Sequence, residues 1–158
     1  MNKITNKLSV SKSKTSGFTL IEILVVIGII AILAGIVLVA INPSRQFAQA
    51  NNTQRTSNVN SILNAIGQYI ADNKGTVPAG IDATAKTLSK ADLNICALLM
   101  PTYVSSLPVD PTKGAAVTDC TSNYDTGYTV KQDATTKRIT VAAPLFEAPA
   151  TSTIEVTR

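Results

Sequence analysis

Residues 16–26 read Ser16-Gly-Phe-Thr-Leu-Ile-Glu-Ile-Leu-Val-Val26 (SGFTLIEILVV), and this stretch opens an apolar run that continues to Ile41. Within residues 18–41 the only ionisable side chain is Glu22. As a helix, the run would be ~36 Å long against a hydrocarbon core of ~30 Å, long enough to cross a bilayer with some tilt. It exceeds the roughly 7–15 apolar residues of a cleaved secretory signal, and Leu38-Val39-Ala40 is a poor small-x-small cleavage pattern. Lys3, Lys7, Lys12 and Lys14 precede the run and no comparable density follows it. That asymmetry places the N-terminus in the cytoplasm and everything after Asn42 beyond the membrane.

A carboxylate inside such a run has three readings. Thr19-Leu-Ile-Glu22 fits a capping box, in which Glu22 complements a helix N-terminus. Glu22 also lies only ~6 Å along the axis from Phe18, within reach of headgroups. Thirdly, it is a charge waiting for a cation from another chain, since an unpaired carboxylate at membrane depth costs roughly 2–3 kcal/mol or more. Gly28 and Gly35, seven apart, share a helix face; they are either ordinary membrane glycines or points of close packing or weakness. Pro43 removes a backbone donor where the run ends and bends or interrupts the helix there.

The net charge of +4 is unevenly placed. The first 17 residues carry four lysines and no acid, leaving 14 − 4 = 10 basic against 10 acidic side chains. The basic character therefore belongs to a leader and not to a nucleic-acid surface. The chain has no histidine, which removes the commonest general base and metal ligand and leaves no Ser–His or Cys–His arrangement. Nothing in it points to an enzyme, a cofactor or a resident metal. Asp110, Asp119 and Asp125 offer oxygens for Ca²⁺, but their spacing matches no metal loop, and they read instead as solvated turn residues.

Beyond Pro43, Val59, Ile62, Leu63, Ile66 and Ile70 recur at helical spacing, with Tyr69 beside them. Gly75 and Pro78 end that helix. One nearly continuous helix over 19–73 would be ~80 Å long. Residues 76–90 read as loop, and Ser89–Met100 as a short helix closed by Pro101. Three strands follow, over 127–131, 138–142 and 153–157, joined by a hairpin at 133–137 and a longer link between Pro144 and Pro149. Their alternating apolar face packs on Val59–Ile70. Aromatic residues make up only 4% of the chain, so this core is small and needs a staple. Cys96 and Cys120, an even pair outside the cytoplasm, supply one as a disulfide worth roughly 3 kcal/mol. The fold class is thus α+β: a leader over 1–17, a transmembrane helix over 18–42, its amphipathic continuation over 43–74, and a head over 75–158 with a three-stranded antiparallel sheet and a disulfide-closed loop.

Gly17-Phe18-Thr-Leu-Ile-Glu22, with lysines before it and about twenty apolar residues after it, resembles the class III signal of type IV pilins and pseudopilins. Leu107-Pro-Val-Asp-Pro111 also resembles a turn common in pilin-like domains. The resemblance implies cleavage at Gly17–Phe18 by a prepilin peptidase, which also N-methylates Phe18. It implies pairing of Glu22 with the N-terminal amine of a neighbouring subunit, and a disulfide-bearing head on the filament surface. Partners would be further copies in a helical filament, the assembly platform and its ATPase, and the membrane. The implied product is a structural subunit of an extracellular type IV pilus serving adhesion, motility or DNA uptake. The alternative is a pseudopilin of a type II secretion or competence system; a single-pass anchored module that never assembles is the rival outside the family.

Overall fold

The structure is a computed structural model that describes residues 17–158. The lysine-bearing leader therefore lies outside the described residues, apart from Gly17. The chain divides into two units, residues 1–41 and 42–158.

The first unit contains α1 (Leu20–Ile41), which runs unbroken through Gly28 and Gly35. The second begins at Asn42 and opens with α2 (Pro43–Asp72). A nearly continuous helix, bent or interrupted at Pro43, was expected here; it is interrupted, the two helices being separated by Asn42 in the left-handed conformation, φ 46°. Pro43 explains the break: its ring disfavours helical geometry at the preceding residue, and asparagine tolerates the left-handed region. Asn42 then caps the new helix, its Oδ1 accepting from Ser44 Oγ (2.9 Å) and Arg45 N (3.4 Å), with Pro43 at the first helical position.

α2 packs on a four-stranded antiparallel sheet in the order β1 (Lys86–Ser89), β2 (Asp125–Gln132), β3 (Ile139–Ala143), β4 (Ile154–Thr157). The register pairs Val130 with Val141 and Val141 with Val156. Val59, Ile62, Leu63 and Ile66 of α2 meet Leu88, Tyr128, Val130, Ile139 and Val141 in one core. Burying an aliphatic side chain of this size contributes about 1.5–3 kcal/mol. Ile70 is half-buried at the margin.

Two readings of the head need correction. Residues 86–89, expected as loop, form the sheet's first strand, so the sheet has four strands and not three. β1 buries a single large apolar side chain, Leu88, too few to give an alternating pattern. Its outer edge is closed by the chain itself: Thr87 N donates to Asp92 Oδ2 (2.7 Å), and Leu93 N donates to Thr87 O (3.0 Å). The helix expected over 89–100 shrinks to α3 (Cys96–Leu99), because Ser89 and Asp92 serve that edge turn and not a helix cap.

Candidate functional site

Gly17, Phe18 and Thr19 precede α1 in non-helical backbone, so the Gly17–Phe18 bond is outside the helix. Phe18 is 83% exposed. Thr19 and Glu22 form a reciprocal cap. Thr19 N and Thr19 Oγ1 both donate to Glu22 Oε2 at 2.8 Å, and Glu22 N donates to Thr19 Oγ1 at 3.3 Å. The first of the three readings of Glu22 thus holds within a single chain. The cap engages Oε2 and holds the carboxylate on an open apolar surface of α1 that it shares with Phe18, Ile21, Ile23, Val25 and Val26. No residue of α1 is buried, and the helix is long and apolar enough to cross a membrane. Gly28 and Gly35 have open space where a Cβ would stand.

The head holds a second concentration of charge, one the sequence reading did not identify. Arg55 is fully buried, four residues before Val59 on the core face of α2. Its Nε donates to Asp110 Oδ2 at 2.7 Å and its Nη2 to Asp110 Oδ1 at 3.0 Å, a two-pronged pair with both side chains wholly shielded. Nη2 also reaches Glu147 Oε1 at 2.9 Å, and Nη1 donates to Asn52 Oδ1 at 3.0 Å. Asn58, one turn along, donates to the buried Tyr128 hydroxyl at 2.8 Å and to Val109 O at 3.2 Å. The hydrogen bonds that Arg55 donates to Asp110 raise the Arg55 pKa against the opposing effect of burial. Burial alone would raise that of Asp110, but hydrogen bonds from Arg55 and Thr112 outweigh it and hold the carboxyl below its ordinary range.

Asp110 is therefore not a solvated turn residue. The chain leaves the Leu107–Val117 bridge in irregular backbone and enters a turn at 111–113 that delivers the Asp110 carboxylate to Arg55. Asp119 and Asp125 are exposed and occupied elsewhere. Asp119 accepts from Thr121 N, Thr121 Oγ1 and Ser122 Oγ, which lower its pKa to about 2. Asp125 is paired with Lys113 and accepts from Gly127 N. The three carboxylates do not converge on one point. Cys96 and Cys120 are joined as a disulfide, Cα–Cα 5.6 Å, linking α3 to the segment before β2. Met100 Sδ lies 3.7 Å from the buried Cys96 sulfur.

The head thus offers satisfied polar groups and a small aliphatic core, whereas α1 presents an uncovered apolar surface with one carboxylate near its start. No curated protein and no solved structure matches the chain. A family model described as the prokaryotic N-terminal methylation motif matches residues 12–38, a segment that spans the Gly17–Phe18 bond, the Thr19–Glu22 cap and most of α1. The chain carries the class III signal of type IV pilins and pseudopilins.

Proposed function

We propose that the chain is the structural subunit of a type IV pilus. In this reading a membrane-anchored precursor is cut between Gly17 and Phe18, methylated at Phe18, and polymerised through α1 into an extracellular filament. The observation that carries it is the pairing of a wholly uncovered apolar helix with a single carboxylate in its first turn. Cleavage creates an α-amino cation at the edge of that helix. With an axial stagger between subunits, the amine of an incoming chain meets Glu22 of one already in place. The pair sets register more than it adds stability, because desolvation offsets much of the attraction. Packing of Ile21, Leu24, Val25 and Ile32 against other helices supplies the bulk of the assembly energy.

The test joins mass spectrometry to electron microscopy. The mature chain should begin at methylated Phe18, and sheared cells should yield long fibres containing it. Glu22→Ala should remain in the membrane and give no fibres. A normal fibre yield from that variant would refute the pairing, and fibres that stay short would assign the chain to a pseudopilus.

A further inference from the structure

Residues 144–158 are fastened to α2 most densely around Glu147, with Arg158 reaching Asn64 further along the helix. Residues 144–153 lead from β3 to β4, and Glu147 spends every hydrogen-bonding group it has on α2 or its own turn. Its carboxylate accepts from Arg55 Nη2 at 2.9 Å and Asn51 Nδ2 at 3.1 Å. Its backbone N–H donates to Asn52 Oδ1 at 3.0 Å, and its carbonyl accepts from Asn52 Nδ2 at 2.6 Å. β4 itself is slight. It has four residues, sits at the open edge of the sheet, and contributes only the half-buried Ile154 and Val156 to the core. Beyond its backbone ladder with β3, its attachments to the fold, Arg158 to Asn64, Thr157 to Thr140 and Arg138 to Thr157 O, are side-chain contacts with exposed or partly exposed groups.

We propose that residues 144–158 form a strap that opens from the head as one unit, with Glu147 as its catch. The two acids on Arg55 differ in the way this requires. Asp110 is completely shielded, whereas the Glu147 side chain is 34% exposed. When Glu147 departs it gains water, and Arg55 keeps its shielded two-pronged partner, so no naked buried charge is left behind. Departure of Asp110 would leave Arg55 with a single partly exposed partner. Opening the strap frees the backbone donors and acceptors on the outer edge of β3.

Sheet geometry makes the opening measurable. Ile139 and Arg158 exchange both backbone bonds, so by antiparallel alternation the N–H groups of Val141 and Ala143 point to β4, and those of Thr140 and Ala142 to β2. Amide exchange of the full mature chain in detergent micelles, followed by NMR, reads the amides facing β4, with their partners in β4, against those facing β2. Val141, Ala143, Ile154 and Val156 should exchange faster than Thr140 and Ala142 in the unmodified chain. Added salt should widen the gap, because the catch is partly exposed. Glu147→Gln should speed the first set about ten-fold, the effect of one charge-assisted bond, and leave the second nearly unchanged. Equal rates for both sets in the unmodified chain would overturn the proposal, as would an equal response of both to salt or to Glu147→Gln.

Discussion

Asp110→Asn is the substitution that most directly tests how the head is held together. The carboxylate oxygens accept Arg55 Nε (2.7 Å), Arg55 Nη2 (3.0 Å), Thr112 N (3.0 Å) and Thr112 Oγ1 (2.6 Å). An amide of the same shape turns its NH₂ toward either Thr112 N or the guanidinium, donor against donor, and leaves a buried cation short of its counter-charge. Breaking a shielded pair in this way costs about 3–5 kcal/mol, and Arg55 keeps Glu147, so the lower end, about 3 kcal/mol, is expected. Against a total stability of roughly 5–15 kcal/mol, that is a large fraction. The assay is urea unfolding of the mature chain in detergent, followed by tyrosine fluorescence of the buried Tyr124 and Tyr128. The pH dependence adds a second check. Because the folded Asp110 carboxyl titrates below its ordinary range, its contribution is fully present above about pH 4 and is lost as pH falls through the lowered value. The gap between the native chain and Asp110→Asn should therefore narrow below pH 4. Arg55→Met combined with Asp110→Leu, which removes both charges, should recover most of the loss. A cost for Asp110→Asn under about 1 kcal/mol, the level of an exposed ion pair, would refute the reasoning, as would a gap that does not change with pH.

Three further outcomes can be stated briefly. Gly127 has φ 78° and an added Cβ would lie 3.1 Å from Asp110 Cβ, so Gly127→Ala should cost about 1–2 kcal/mol in backbone strain plus the displacement of the Asp110 turn, seen as a lower unfolding midpoint. Reducing the Cys96–Cys120 bond should cost roughly 3 kcal/mol and lower the thermal midpoint, with the added exchange concentrated in residues 101–119. The Asp119 carboxyl should titrate at about 2 by NMR, and Thr121→Val should move it back toward the ordinary value; the sign predicts that its stabilising effect is present above about pH 4 and disappears as pH falls toward 2.

What could be read from the sequence, and what could not, follows from the reach of each interaction. The Thr19–Glu22 cap closes over three residues, and the apolar stripe Val59–Ile66 repeats within two turns, so both are local patterns. The partners of Arg55 stand 55 and 92 residues away, and the strand that pairs with Lys86 begins some forty residues later. The family resemblance at 107–111 pointed to a turn, which falls at 111–113; its destination depends on Asp110 N donating to Thr126 O and on Gly127 leaving room for the approach. One signal was available: a helix whose buried face runs 55, 59, 62, 66 carries arginine at its first position. A cation on a core stripe demands a shielded acid, and Asp110 and Glu147 lie in segments that return to that face. The same electrostatic requirement governs both ends of the molecule with opposite results. Arg55 finds its counter-charges inside its own chain and so holds the head closed. Glu22 has only its own cap, on a helix with no covered face, and in the proposed function the charge that completes it comes from another subunit.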